Sequence, residues 1–438
     1  MPVEGDGLPD AGLPLIELVE HGGSIPLRLD GATGRALAAS DAVEAVPDPD
    51  VPGLWQVTAG RKVGAATVAV RGEGAVMVRI LPKVPVARLL FLLGYSLDAK
   101  GWRDEDVQVS GAEELLPAVA RLFERQAEKA LRQGLLQGYR TVEETSVVVR
   151  GRIRQGDQIR RHYGRQLPVE IVHDEYTADI PENQLLRTAC ERLLRLPSGG
   201  LPSDVRGRLL RLRVRLADVT VVGRGHPLPE WRPSRLNVRY RPALRLAELV
   251  LQGASVEHRP GGVTVSGFLF DMPKVFEDFV TVALREALVD ADGYCRLQAS
   301  HHLDERAKIR MVPDFVHYTD DGTPTAVADA KYKVEKRGGF PDADLYQMLA
   351  YCTALGLPEG HLVYAKGNAP HATHRVQRAG TTIHQHALEL DQPPSGLLTE
   401  VRALAGRLAA PASVWLGGSR PEPDEVPGAI QTLLFGTE

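Results

Sequence analysis

Two residues with complementary chemistry stand two positions apart in the stretch TAVADAKYKVEK, residues 325–336: Asp329 and Lys331. The alternation of apolar and charged residues reads as a β-strand, and a spacing of two places both side chains on one face. Upstream, MVPDFVHYT reads as a second strand, with DDG between the two as a hairpin signal. If Asp321 and Gly322 form a two-residue turn, Asp314 lies opposite Asp329, with Cβ atoms roughly 5 Å apart. Pro324 has no N–H to give to a ladder beside that turn, which argues for a wider loop.

Two carboxylates closing on one partly buried face repel, and the remedies are a shared proton or a bound cation. A hard divalent ion, magnesium or in its place manganese, accepts a site of few carboxylates completed by water and substrate phosphate. Asp314 and Asp329 beside the Lys331 ammonium therefore suit metal-dependent phosphodiester hydrolysis, with Lys331 orienting the nucleophile or steadying developing charge. The tripeptide alone carries little: LDAKGW repeats it at Asp98–Lys100 without an upstream Pro-Asp strand, and no catalytic role is expected there.

These residues need a scaffold. The segments LWQVTAG, KVGAATVAVRG and AVMVRILPK have strand-like alternation, so the first hundred residues read as β-rich. From about Ala112 the period changes to helical, with Leu115, Val119, Leu122, Phe123, Ala127, Ala130 and Leu131 near one face. PENQLLRTACERLLRL and SDVRGRLLRLRVRLADV continue as amphipathic helices, after an intervening SVVVRGRIRQG that is strand-like. HRPGG near residue 260 punctuates the chain before VTVSGFLFDMPKVFEDFVTVALREAL opens a new unit.

The expected fold class is multidomain α+β, divided at 1–110, 111–260 and 261–410, with a proline-rich acidic tail at 411–438. The third unit is an α/β core with a mixed sheet flanked by helices.

Composition narrows the function. With 438 residues, 43% of them hydrophobic, the chain builds a large core, and a formal net charge of −4 leaves any nucleic-acid contact to local basic patches. Three scattered cysteines support neither a disulfide framework nor a zinc site. No membrane-spanning run and no basic leader is present, so the expected location is cytoplasmic. There is no G-x-x-x-x-G-K-[ST] loop, so no nucleotide is expected to bind this chain.

PDF, ADAKYK and DLYQMLAY resemble the PD-(D/E)xK nuclease superfamily, and specifically the McrC-type subunits of modification-dependent (type IV, McrBC-like) restriction systems. VGAATV with ILPK, and LFERQAEKALRQGLLQGY, RGRI and DIPENQLLRTA, resemble the rest of that family. The resemblance implies a third acidic metal ligand on the opening helix, which MPKVFEDFV supplies as Glu277. It also implies that Gln347 and Tyr351, one turn apart on DADLYQMLAYCTAL, line the site as in the RecB-like branch. Further, it implies an endonuclease for double-stranded DNA of the 5-methylcytosine type, docked through its N-terminal domain on an AAA+ GTPase hexamer (McrB-like). A stand-alone RecB-like repair nuclease and a non-catalytic activator of a GTPase ring are the rival readings.

Lys333, with Lys336 and Arg337, is either a phosphate contact or part of a solvated loop. His384 and His386 form a weak metal pair with no third ligand apparent, and His301 with His302 reads as a surface turn near substrate.

Overall fold

The computed structural model describes residues 14–70, 74–97, 99, 115–163, 165–196, 201–223, 225–253, 256–258, 264–332, 342–365 and 371–409. Lys333, Lys336, Arg337, Asp98, Lys100 and the 411–438 tail lie outside them.

The N-terminal part contains β1 (Leu15–Val19), β2 (Ile25–Arg28), α1 (Gly31–Ala39), β3 (Val43–Pro47), β4 (Leu54–Ala59), β5 (Lys62–Val70) and β6 (Gly74–Leu81). They form a three-stranded sheet, β2-β4-β3, and most of a five-stranded one. Alternation in β5 and β6 buries Ala66, Val68, Val76, Val78 and Ile80 on one side.

Helices α2 (Val86–Leu97) and α3 (Leu115–Leu131) follow. All seven residues of the expected α3 stripe are buried. Next comes a ribbon of β7 (Gly138–Ser146), β8 (Arg152–Ile153) and β9 (Val169–Thr177), with α4 (Gln155–His162) between the last two strands. The middle region is therefore not purely helical. Glu170, 2% exposed, ties α4 to the ribbon by accepting from Thr145 Oγ1 at 2.8 Å and pairing with His162 Nε2 at 2.9 Å. The loop after β7 leaves Val147, Val148 and Val149 exposed, as are Ile153, Ile159 and Tyr163.

Helices α5 (Pro181–Leu194), α6 (Ser203–Arg215) and α7 (Arg241–Gly253) lead to β10 (Val256–His258) and β11 (Thr264–Asp271). The boundary expected near residue 260 lies outside the described residues; β11 pairs antiparallel with β10 and with β5, completing the sheet β1-β6-β5-β11-β10. TVSGFLFD thus returns to the N-terminal sheet before the chain enters α8 (Met272–Ala287).

The C-terminal part carries β12 (Tyr294–Leu297), β13 (His301–His302), β14 (Arg310–Met311), β15 (Phe315–Tyr318), β16 (Pro324–Lys331), α9 (Asp342–Leu355), β17 (Glu359–Tyr364), β18 (His371–Arg375), β19 (Thr382–Ala387) and α10 (Pro394–Ala409). Its mixed sheet runs β12-β15-β16-β17-β19-β18. One face buries Val316, Val327, Leu362 and Ile383 with Met348, Tyr351 and Cys352 of α9. The other buries Phe315, Ala326, Ala328 and Val363 in the large core that also holds α8, α10 and the N-terminal sheets. Phe279 of α8 meets Phe91 and Tyr95 of α2 edge-on, with ring centroids 5.6 Å apart in each case. The chain is a mixed α+β fold whose parts share one extended apolar core.

Candidate active site

The expected hairpin forms, but its turn is wider than two residues. Thr319 N–H donates to Thr323 O at 2.9 Å and Gly322, at φ 89°, occupies the left-handed position, leaving a three-residue loop. An irregularity between His317 and Tyr318 absorbs the extra residue, so Phe315 still pairs with Ala328 and Val316 with Val327. The register that brings Asp314 to the level of Asp329 is thereby kept. Pro324 is tolerated because it opens the strand.

Asp314 Oδ2 accepts the Ala330 N–H at 2.8 Å, which locks this carboxylate to the end of β16. Asp329, 3% exposed, forms an ion pair with Lys331. The contact is between Asp329 Oδ2 and the Lys331 ammonium. Lys331 Nζ donates to Gln347 Oε1 at 2.9 Å, and Gln347 Nε2 donates to the Tyr351 hydroxyl at 2.7 Å. The two α9 residues expected to line the site are therefore joined to Lys331 in one chain of contacts. Tyr351 in turn reaches Val312 O at 3.4 Å.

Glu277, on α8, is hydrogen-bonded by the Gln298 amide and lies 3.8 Å from Lys274 Nζ. It is close enough to Asp314 for its charge to be felt there. Asp314 is pushed up to about 8, first by burial, then by Asp329 and Glu277, against the opposing Ala330 N–H and Lys331. For Lys331, burial alone lowers the ammonium's pKa, but Asp329, with Asp344 and Asp314, outweighs it and holds the group above the usual lysine range. Lys331 is thus a fixed cation at neutral pH and not a proton acceptor. Burial, then the Asp329 charge, pushes Tyr351 up to about 12, so its hydroxyl stays protonated.

Sequence reasoning missed Asp344, 4% exposed on the first turn of α9 and close enough to Lys331 to help hold its charge. It also missed Gln298, whose backbone N–H donates to Asp314 O at 3.0 Å while its amide holds Glu277. Asp344 stands three residues before Gln347, a spacing that puts both on one helical face and was available as a signal. Gln298 had none. A third omission is Glu20, fully buried at the end of β1, whose Oε2 accepts the Tyr332 hydroxyl at 3.1 Å beside the site strand.

The approach of α9 to the sheet depends on Gly360 in β17. A Cβ there would stand 2.5 Å from both Met348 Sδ and Cys352 Sγ, on the helix that carries Gln347 and Tyr351. Gly360→Ala is expected to lower stability by about 1–3 kcal/mol and to weaken the Lys331–Gln347 contact. Chemical denaturation checks the first, and the Gln347 amide resonances check the second.

The histidines expected as an isolated pair are not isolated. His384 and His386 of β19 share a sheet face with His361 of β17 and His371 of β18. This is the face opposite Asp329, because Asp329 pairs with Leu362 and Ala328 with His361. His361 Nδ1 lies 3.0 Å from His386 Nε2, and Arg407 of α10 reaches both His371 and His386. Among the described residues no group of three or more His, Cys, Asp or Glu side chains is arranged to hold a metal ion. His301 is no loose surface residue, since its Nε2 bonds the Tyr318 hydroxyl at 2.9 Å.

Fold and site together define a class: a mixed-sheet α+β chain with two converging aspartates, a half-buried lysine and a supporting glutamine–tyrosine pair at one sheet end. A family model described as McrBC 5-methylcytosine restriction system component matches residues 58–365, well over half of the chain. The chain belongs to that family, and the resemblance to McrC-type subunits holds at that level. It is similar to a chain in the refined half-complex of a tetradecameric assembly of Thermococcus gammatolerans McrB AAA+ hexamers with bound McrC. That match has TM-score 0.53 and 19% identity, and covers 90% of this chain and 100% of that one. A cryo-EM structure of the Thermococcus gammatolerans McrBC complex matches with TM-score 0.37 and 21% identity over 63% of this chain and 88% of that one. No curated protein matches. Among the described residues no helix is long and apolar enough to cross a membrane.

Proposed function

We propose that this chain is the McrC-type nuclease subunit of a modification-dependent restriction complex. It hydrolyses phosphodiester bonds of double-stranded DNA with magnesium, alongside a McrB-like AAA+ GTPase hexamer. The observation that carries the reading is the convergence of Asp314, Asp329 and the protonated Lys331 at the ends of β15 and β16.

The donor set fits a hard divalent ion. Asp329 is buried with Lys331 as its ion-pair partner, and the charge of an ionised Asp314 is opposed by Asp329 and Glu277, which a bound cation would relieve. Magnesium is commonly held by one or two carboxylates with water and phosphate, so a finished protein cage is not required. Asp314 and Asp329 would hold the ion, with Glu277 adding negative charge beside them and becoming a ligand if it leaves Gln298. When bound, the ion supplies a Lewis acid for the phosphate and a water of lowered pKa. Lys331, a fixed cation aimed by Gln347 and Asp329, neutralises charge building on the phosphate oxygens. Tyr351 stays neutral and fixes Gln347, which keeps the ammonium from swinging out.

An exposed apolar surface supports the partner reading. Val147, Val148, Val149, Ile153, Ile159 and Tyr163 are all exposed around the β7–β9 ribbon, a concentration of apolar side chains typical of an interaction site. The AAA+ hexamer is proposed to bind there, on the middle region, in place of the N-terminal docking that the family resemblance implies.

Cleavage of a modified duplex by the complex with the GTPase and GTP tests the function. Loss of cutting in Asp314→Asn and Asp329→Asn, with GTPase stimulation kept, is expected; normal restriction by the double variant would leave the activator reading standing. A metal titration without DNA gives a separate check. Millimolar magnesium is expected to stabilise the wild-type chain by about 1–3 kcal/mol in thermal unfolding and the double variant not at all.

A further inference from the structure

Cationic side chains without carboxylate partners gather on one projecting element beside the site. The segment His301–Met311 is a hairpin of β13 and β14, and residues 305–310 at its tip are all exposed. Arg306, Lys308 and Arg310 lie there, and Arg296 stands next to it on β12, over the Tyr294 ring at 5.5 Å. Among the described residues none of these four pairs with a carboxylate. Glu305 is the tip's one free-standing carboxylate among the described residues. Asp304 is already used: its Oδ1 accepts the N–H groups of Lys308 and Ile309 at 2.8 and 2.7 Å, which fixes the turn.

The hairpin is built rigid at its base and grows directly from the site. His301 Nε2 bonds Tyr318, whose ring stacks on Tyr294 at 5.2 Å, and Arg310 Nε donates to Ser300 Oγ at 3.0 Å. One leg begins beyond Gln298, which holds Glu277, and the other ends just before Asp314. Arg310 is four residues from Asp314, about 13 Å of extended chain at ~3.3 Å per residue. A duplex strand advances about 3.4 Å per nucleotide, so a backbone seated at the carboxylates passes these cations roughly four nucleotides away.

Resting on the nuclease reading, we propose that the 301–311 hairpin is a DNA-backbone arm. Arg306, Lys308 and Arg310 contact phosphates that flank the one held at Asp314 and Asp329. Charge favours this occupant: an unpaired cationic tip gains most from a polyanion, through release of condensed counterions.

The test is fluorescence anisotropy of the full chain with a duplex of about 25 bp, in EDTA so that nothing is cut, from about 20 to about 200 mM salt. In R306Q/K308Q/R310Q the dependence of log K on log salt is expected to become shallower by about 2 to 3, at ~0.9 per lost phosphate contact. Affinity at low salt is expected to fall more than tenfold, with thermal stability kept. R306K/R310K is expected to retain the wild-type slope, because a phosphate contact needs the charge and not the fork. An unchanged slope in the triple variant, or no binding by the wild-type chain at the lowest salt, overturns the proposal. So does intact DNA binding with lost assembly onto the GTPase, which would hand the hairpin to a protein partner. The magnesium-dependent thermal stabilisation expected of the carboxylate site is kept in R306Q/K308Q/R310Q, so failure of the nuclease reading and failure of the arm give different results.

Discussion

Asp329→Asn is expected to lower the rate of DNA cleavage by roughly three orders of magnitude, about 4 kcal/mol of barrier at ~1.36 kcal/mol per tenfold, while the chain stays folded. The two side chains have nearly the same shape, so packing against Val327 and Leu362 is preserved. What changes is charge. The substitution removes one of the two anionic ligands proposed to hold the ion, and it removes the anion that holds Lys331 in place. Lys331 keeps Gln347 at 2.9 Å and the nearby charges of Asp344 and Asp314, so it does not become an uncompensated buried cation. Stability is therefore expected to shift by no more than about 1 kcal/mol. Asp314, relieved of a repelling neighbour, is expected to titrate closer to the ordinary carboxylate range in the variant. Single-turnover cleavage and thermal unfolding of the same preparation separate the two effects; cutting above a tenth of the wild-type rate would falsify the assignment.

The reach of sequence reasoning followed the range of the interactions involved. Asp314, Asp329 and Lys331 were legible because strand alternation and one short hairpin fix their relations locally. Gln347 and Tyr351 were legible because a helical turn relates them. The path of β11 was not. Thr264–Asp271 pairs with β5 some two hundred residues earlier, and nothing in VTVSGFLFD distinguishes that sheet from the next one. Gln298 was invisible for the same reason, since its contacts with Glu277 and Asp314 come from a bend just past the edge strand β12, with no motif. The width of the 319–323 turn was signalled by Pro324, but the compensating irregularity was not, and only the two together preserve the register. The four-histidine group depends on β17, β18 and β19 lying side by side, whereas the sequence shows only the His384–His386 spacing.

That group gives the second large effect, on stability. Burial first, then the neighbouring His384 and Arg407, lowers His361 to about 3, and burial with His361 and Arg407 lowers His386 to about 2, from a usual 6.5. Glu359, 3.4 Å from His384, and Glu400, whose charge reaches His371, are the acidic groups facing the cluster. They do not rescue the two buried rings. A histidine whose folded pKa is depressed contributes its full stability above 6.5 and loses it as pH falls below that value, until the folded pKa is reached. Each ring then costs about 1.4 kcal/mol per pH unit, so the pair is expected to remove roughly 5 kcal/mol by about pH 4.5. Protonation also makes both His361 Nδ1 and His386 Nε2 donors, which abolishes the hydrogen bond between them. A loss of that size approaches the whole stability of an ordinary domain, so β17, β19 and α10 are expected to open first on acidification. Urea unfolding between about pH 7 and pH 4.5, with hydrogen exchange read in β17 and β19, measures it. A variant with His361→Leu and His386→Leu is expected to show a slope shallower by about 2.7 kcal/mol per pH unit; a slope equal to that of the wild type would mean that these rings already bear protons in the folded chain.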